Sequence, residues 1–148
     1  MSRRKSPHQE RVEAFMAKAN QAVPDRPTMP DSETRKFRAK IILEETLETI
    51  EALGMKVVSR GLAEFVIEES SQPPDLNEII DGCADIHVVT TGTLSACGVA
   101  DEALMVEVDN NNLAKFGPGS YRREDGKWMK PPDHKPPDIE RIVKEQTP

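Results

Sequence analysis

The sequence predicts an all-α protein, folded as an antiparallel bundle of about four main helices. Two long segments, residues 41–53 and 79–97, repeat apolar side chains at the spacing of a helix face. The core must be mainly aliphatic, because the 148 residues are 36% hydrophobic and include only one Trp, one Tyr and four Phe. Because few large side chains are available, the hydrophobic core is expected to be completed by a partner subunit, in a homodimer or a dimer of dimers.

The first helix is predicted to begin at Ser6 and to run to about Ala22. Ser6 is a typical cap, Pro7 suits the first turn, and Gln9 can close a capping box. Apolar side chains then recur at helical spacing, at Val12, Phe15, Met16 and Ala19. Three prolines within residues 24–32 exclude a helix there, so that segment is either an ordered connection or a flexible link.

The second helix is predicted to start after a cap at Asp31 or Ser32 and to end at Gly54. Its apolar positions are Phe37, Ile41, Leu43, Leu47, Ile50 and Leu53. Residues 55–73 leave two alternatives open. Their β-branched side chains favour two short strands around residues 59–61, whereas a helical fragment fits the same stretch almost as well.

The third helix is predicted to follow a Pro-Pro pair, to be capped by Asp75 and to run to Cys97. Gly82 and Gly92 lie inside it, where each glycine costs about 1 kcal/mol relative to alanine. We therefore expect each glycine to mark a close approach by another helix or by a ligand.

A fourth helix is predicted from Asp101 to about Phe116. Asp109, Asn112 and Lys115 follow one another at steps of three on its far half, where together they can contact a polar ligand. The alternative is a polar last turn, with the lysine at the negative end of the helix dipole.

The proline-rich strap, residues 118–148, is predicted to cross the bundle. An Asp-Gly pair indicates a small hairpin within it, and residues 138–145 form a last short helix. Trp128 and Tyr121 are expected to anchor the strap, and a base-stacking role for Trp128 is the alternative. The helical core, about residues 6–117, and the strap together form a single domain, residues 1–148.

Acidic side chains gather on one side of each long helix. Glu44, Glu48 and Glu51 fall within about 60° of one another on the second helix, and Glu45 borders them. Glu78, Asp81 and Asp85 fall within a similar arc of the third helix, where Asp81 and Asp85 lie one turn apart. If the helices pack side by side, these carboxylates form a pocket that repels itself unless cations fill it. Ligands that are all oxygen suit Mg²⁺, with Mn²⁺ as the alternative.

Two other interpretations of these acids remain open. A run of glutamates on a helix is most often a solvated face. Asp81 and Asp85 fit that explanation less well, because they are the only formal charges in residues 79–100, where unpaired carboxylates are costly. Arg38 or Lys40 can instead neutralise the acids, in which case the cluster is a structural salt-bridge network.

Composition and motifs narrow the classes of function. The net charge is −6 and no basic stripe is present, so nucleic acid is not an expected partner. No apolar run reaches the ~18 residues of a membrane span, and no signal peptide is recognisable. Cys83 and Cys97 are interpreted as reduced core thiols of a cytoplasmic protein, and His87 as a core histidine. The sequence has no glycine-rich phosphate loop, Ser/His/Asp order or Cys-x-x-Cys, so catalysis is expected to run through metal and water.

The pattern of acids resembles the MazG-like all-α nucleoside triphosphate pyrophosphohydrolases, which are related to the phosphoribosyl-ATP pyrophosphohydrolases and the dimeric dUTPases. The resemblance covers about residues 10–117. It depends on Glu44-Glu45-x-x-Glu48, on Asp85, and on Asp109-x-x-Asn112-x-x-Lys115. The chain departs from the family's Glu-x-x-Asp motif at Gly82, where the family has glutamate. Asp81, one turn before Asp85, would supply the missing carboxylate.

The resemblance implies Mg²⁺-dependent hydrolysis of a (deoxy)nucleoside triphosphate between its α and β phosphates, which releases a monophosphate and pyrophosphate. The implied metal ligands are Glu44, Glu45, Glu48, Asp81 and Asp85. Either Glu44 or Glu45 would serve as the general base. The implied substrate contacts are Asp109, Asn112 and Lys115, with the lysine neutralising a phosphate.

Two rival functions accompany this one. The departure at Gly82 favours a non-catalytic helical dimer that binds nucleotide or metal, or that serves only as an interaction module. A phosphoribosyl-ATP or other nucleotide-derivative pyrophosphohydrolase is the second rival, although the chain beyond Gly117 does not resemble that branch.

Overall fold

A computed structural model describes residues 3–62 and 64–148 of the chain. Within these residues the protein is mostly helical, with five α-helices and two short antiparallel hairpins. The helices are α1 (Pro7–Lys18), α2 (Ser32–Ala52), α3 (Leu76–Ala96), α4 (Asp101–Leu113) and α5 (Ile139–Glu145). The strands are β1 (Met55–Ser59), β2 (Phe65–Glu69), β3 (Tyr121–Arg122) and β4 (Trp128–Met129).

Three helices begin at the predicted caps. The side chains of Ser6, Asp31 and Asp75 each accept a hydrogen bond from a backbone N–H group in the following first turn. These N–H groups have no partner inside the helix, so the caps stabilise the helix starts. The end of α1 was predicted too late. The helix stops at Lys18 because Asn20 takes a left-handed conformation, with φ of 56°, that an α-helix cannot contain.

The helices α2 and α3 form an antiparallel pair. A Cβ atom added at Gly82 would lie 2.4 Å from Thr49 Oγ1, and one added at Gly92 would lie 2.8 Å from an Arg38 guanidinium nitrogen. Arg38 precedes Thr49 by about three turns on α2. On α3 the order is reversed, because Gly92, which meets Arg38, follows Gly82, which meets Thr49, by about three turns. Both glycines therefore mark helix–helix contacts, as the sequence predicted.

The segment between the paired helices is a hairpin, so the strand interpretation of residues 55–73 is confirmed. Strands β1 and β2 are antiparallel, with Val57 opposite Ile67 in the register. The hairpin returns the chain across the end of α2, where Asp75 N donates to Ala52 O at 3.0 Å. The connection is short, and it therefore holds the two acidic helices as neighbours.

Two buried glutamines hold the connection between α3 and α4. Gln9 Nε2 donates to Val99 O at 2.8 Å, and Gln9 Oε1 accepts from Asp101 N at 2.8 Å. Gln146 Oε1 accepts from Ala100 N at 2.8 Å, and its Nε2 donates to Ala100 O at 3.0 Å. The connection is buried away from water, so these bonds replace the solvent that its backbone would otherwise need. Gln9 lies near the start of the chain and Gln146 near its end, so both ends of the chain are held at this connection.

A large apolar surface is left uncovered in the single chain. The accessible area is 10781 Å², whereas a compact monomer of 16.5 kDa is expected to expose about 7600 Å². The exposed side chains include Leu43, Leu47 and Leu53 on α2 and Ile80 on α3. No helix in residues 3–62 and 64–148 has both the length and the hydropathy needed to cross a membrane.

Three individual expectations about burial were wrong. His87 is exposed, and its ring meets the His8 ring edge-on at a centroid distance of 5.9 Å. Cys83 is also exposed, while Cys97 is half-buried. Tyr121 is 57% exposed and does not anchor the strap. Burial in this chain follows contacts between helices that residue type alone does not reveal.

Candidate active site

The antiparallel pairing places the acidic faces of α2 and α3 opposite each other. The contact between Thr49 and Gly82 is the reference point. Glu45 lies about one turn before Thr49 on α2, and Asp85 lies about one turn after Gly82 on α3. The two acids are therefore at the same level of the helix pair.

Glu45 lies in the middle of this acidic cluster, defined as Glu44, Glu45, Glu48, Asp81 and Asp85. Burial is the main cause that raises the pKa of the Glu45 carboxyl above its usual value. The negative charges of the other four members raise the same pKa further. All four neighbours are thus within electrostatic reach of Glu45, and their charges oppose its ionisation.

Basic side chains contribute little compensation. Among the described residues, only Glu44 in the cluster has a basic partner, with Lys40 Nζ at 3.6 Å from Oε1 in an exposed pair. Such pairs contribute about 0–1 kcal/mol. Arg38 is 6% exposed and donates instead to Gln21 Oε1 at 2.8 Å. The alternative of a salt-bridge network with Arg38 is therefore wrong.

The side-chain positions do not by themselves form a coordination sphere. Within residues 3–62 and 64–148, no three acidic, histidine or cysteine side chains are arranged to hold a metal ion. The chemistry of the donors nevertheless fits Mg²⁺, because all five members of the cluster offer carboxylate oxygens. A cation would also remove the repulsion that raises the Glu45 pKa. Glu44, Glu48 and Asp81 are exposed, so their side chains are free to change rotamer.

Gly82 has a packing role in the contact between α2 and α3. Thr49 is 6% exposed and its hydroxyl donates to Glu45 O at 2.7 Å. That hydroxyl occupies the space that a side chain at position 82 would need. A glutamate there would clash with Thr49 and force the helices apart. That Asp81 replaces the missing carboxylate stays a prediction. Sequence reasoning missed Thr49, because only the pairing of the helices identifies it.

The three predicted substrate contacts are in or just after α4, which packs against α5 and makes no extensive contact with α2 or α3 within the described residues. Lys115 Nζ donates to Asn112 Oδ1 at 2.7 Å, and Asp109 is exposed. In the part of the chain that the structure describes, no hydrogen bond or ion pair joins these residues to the acids of α2 or α3. Their contact with substrate stays a prediction.

The family of this chain is decided by a match over most of its length. The model of the family described as phosphoribosyl-ATP pyrophosphohydrolase matches residues 12–112. The chain belongs to this family. Membership places it in the MazG-like superfamily, as the resemblance predicted, and makes it a pyrophosphohydrolase acting on a nucleotide phosphoanhydride.

The matched residues include the whole acidic cluster, together with Asp109 and Asn112. Lys115 and the strap lie beyond the match, so family membership says nothing about their role. A comparison with curated proteins finds no match for the chain.

Proposed function

We propose that this protein hydrolyses a nucleoside triphosphate between the α and β phosphates, with Mg²⁺ as cofactor and Mn²⁺ as a substitute. The observation that supports it is that four carboxylates lie within electrostatic reach of Glu45 with almost no basic compensation. A cluster of this kind attracts divalent cations. With cations bound, this acidic region of a protein of net charge −6 would attract a triphosphate.

Glu45 is the better candidate for the general base. It is half-buried and its raised pKa brings it closer to neutral pH, which favours accepting a proton from water. Glu44 is exposed and paired with Lys40. When bound, Mg²⁺ would neutralise phosphate charge and lower the pKa of the attacking water. The residues that would hold it are Glu44, Glu45, Glu48, Asp81 and Asp85.

We also propose that the working form is a homodimer. The single chain exposes 10781 Å², about 40% more than a compact monomer of its mass. Exposed leucines on α2 lie on the helix that carries the acids, so a partner would shield the site from water. Size-exclusion chromatography with light scattering tests this, and a monomer at micromolar concentration would contradict it.

Phosphoribosyl-ATP is the second candidate substrate. The description of the matching family favours it. The strap argues against this substrate, because residues 118–148 lie outside the family match and do not resemble the phosphoribosyl-ATP pyrophosphohydrolases. The non-enzymatic alternative is a helical dimer that binds nucleotide without hydrolysing it.

Release of pyrophosphate from a nucleotide panel tests these proposals. The panel contains the four deoxynucleoside triphosphates, the four ribonucleoside triphosphates and phosphoribosyl-ATP, each with Mg²⁺ or with EDTA. We expect Mg²⁺-dependent release from a nucleoside triphosphate. Release from phosphoribosyl-ATP alone would identify it as the substrate. No release from any compound would favour the non-catalytic dimer.

Matched variants connect the activity to the cluster. Glu48→Gln and Asp85→Asn are expected to abolish pyrophosphate release while leaving the circular dichroism spectrum unchanged. Glu33→Gln is the control, because Glu33 lies at the opposite end of α2 and belongs to no ion pair among the described residues. Full turnover in either cluster variant would overturn the assignment.

A further inference from the structure

A cavity with a different chemistry lies between the start of α1, the middle of α3 and the start of α4. Its volume is about 510 Å³, and His8, His87 and Asp101 are among the residues that line it. We call it the histidine cavity. His87 follows Asp85 by two residues, which is a rotation of about 200° on an α-helix. The histidine cavity is therefore on the side of α3 that faces away from the acidic cluster.

The start of α1 is fixed against the start of α4 beside this cavity. Asp101 Oδ1 accepts from Ser6 N at 2.7 Å, and Asp101 Oδ2 accepts from Ser6 Oγ at 2.6 Å. The same hydroxyl of Ser6 accepts from Gln9 N at 3.1 Å, and Gln9 Nε2 donates to Ser95 Oγ of α3 at 3.0 Å. His8 lies between Ser6 and Gln9, so the backbone that carries its ring is held on both sides.

One ring nitrogen of His8 has no partner. The Nε2 atom is shielded from solvent and makes no hydrogen bond within the described residues. A buried polar atom without a partner costs free energy, so it requires a physical reason. Histidine binds metal ions through a neutral ring nitrogen that has a free lone pair. A bound cation would therefore give this nitrogen the partner that the chain itself does not provide.

His87 supplies a second imidazole at a suitable separation. The ring centroids of His8 and His87 are 5.9 Å apart, and the ring planes are inclined by 63°. Two imidazoles that bind one zinc ion at a tetrahedral angle have centroids about 5 Å apart, given Zn–N lengths of about 2.0–2.1 Å. The rings therefore need to approach each other by only about 1 Å. The exposed side chain of His87 can make this movement by changing its rotamer.

The charges around the histidine cavity favour a cation. Asp101 contributes the one carboxylate of its lining, and no lysine or arginine of the described residues lines it. Imidazole nitrogen suits Zn²⁺ and other transition-metal ions, whereas Mg²⁺ prefers oxygen ligands. The helix α3 thus presents carboxylates on one side and an imidazole on the other, and these two ligand types select different ions.

We propose that His8 and His87 together bind one divalent transition-metal ion of the zinc type, which links the start of α1 to α3. Within residues 3–62 and 64–148, no group of three histidine, cysteine or acidic side chains is arranged around an ion. Water molecules therefore occupy the remaining coordination positions. The proposal does not rest on the proposed catalysis, because the histidine cavity shares no residue with the acidic cluster.

Isothermal titration calorimetry with Zn²⁺ measures this binding in the full-length protein. Excess Mg²⁺ is present throughout, because it competes for carboxylates but only poorly for imidazoles. We expect saturable binding of Zn²⁺, and His8→Gln and His87→Gln are each expected to weaken it by roughly tenfold or more. His134→Gln is the control and should leave the affinity unchanged, because His134 lies outside the cavity. Unchanged affinity in either cavity variant would overturn the proposal, as would no binding to the wild-type protein.

Thermal unfolding in the same buffer supplies a second measurement. An ion that joins two helices only in the folded state stabilises that state, so excess Zn²⁺ is expected to raise the melting temperature of the wild-type protein by several degrees. Asp85→Asn should retain this rise. His87→Gln should lose it, while melting as the wild type does without Zn²⁺, because His87 is exposed. A rise that persists in His87→Gln or disappears in Asp85→Asn would overturn the proposal, since the ion would then not lie between the two histidines.

Discussion

Gly82 of α3 lies so close to Thr49 of α2 that an added Cβ would be 2.4 Å from the threonine Oγ1 and 3.3 Å from its Cα. This contact is about one turn from both Glu45 and Asp85. It therefore sets the separation of the two acidic helix faces. The glycine that lets the two helices approach is thus also the residue that sets Glu45 and Asp85 at the same level of the helix pair.

The first prediction concerns this contact. Gly82→Ala is expected to lower the free energy of unfolding by about 2 kcal/mol, because overpacking outweighs the ~1 kcal/mol gained in helix propensity. Pyrophosphate release should fall as well, since the acids move apart. Urea unfolding followed by circular dichroism, at one fixed protein concentration, measures the stability.

A double-mutant cycle is the control for this prediction. Thr49→Ala removes the hydroxyl that the new methyl group would meet, so the pair Gly82→Ala and Thr49→Ala should be more stable than the two separate losses imply. We expect a coupling of at least about 0.5 kcal/mol. Simple additivity would show that the two positions are not in contact.

The second prediction concerns Glu45. In EDTA, Glu45→Gln is expected to raise the melting temperature at neutral pH, because it removes a carboxylate whose ionisation is opposed first by burial and then by the neighbouring negative charges. The folded pKa is raised, so the folded state holds this proton more tightly than the unfolded chain, whose value is 4.5. The advantage of the variant is therefore complete above the folded pKa and disappears as the pH falls toward the unfolded value.

Melting curves across this pH range measure the effect, and Glu33→Gln is the control. Glu33 lies in the first turn of α2, where a negative charge is favourable to the helix dipole. Its loss should slightly lower the melting temperature. A decrease for Glu45→Gln at neutral pH would show that Glu45 is not in a repulsive cluster.

The third prediction concerns the anchor of the strap. Gln146→Ala should leave both backbone groups of Ala100 without a partner, at a cost of about 1–3 kcal/mol for each buried group. The end of the chain should then detach and become sensitive to protease. Limited proteolysis with mass spectrometry detects the cleavage. Gln72→Ala, in the exposed connection between β2 and α3, is the control and should leave resistance unchanged.

Local chemistry made much of the fold predictable. Asp31 and Asp75 cap helices because their side chains accept from backbone groups only a few residues away. The glycines of α3 were also informative, since a glycine inside a helix needs a reason. The choice between a hairpin and a helical fragment at residues 55–73 needed the structure, because both patterns fit the sequence.

The parts that sequence reasoning missed depend on contacts between distant segments. Arg38 was a candidate partner for the acids, but the space left at Gly92 takes its guanidinium into the interior. His87 was expected to be buried from residue type alone, whereas its place on α3 leaves it exposed.

Binding of Mn²⁺, followed by electron paramagnetic resonance, tests the central claim most directly: acids of two helices form one metal site. The wild-type protein should bind Mn²⁺ saturably, and Glu48→Gln on α2 and Asp85→Asn on α3 should each weaken binding by roughly tenfold or more. Glu33→Gln should bind as the wild type does. Undiminished binding in either cluster variant would contradict the account, because the two helices would then not share a site.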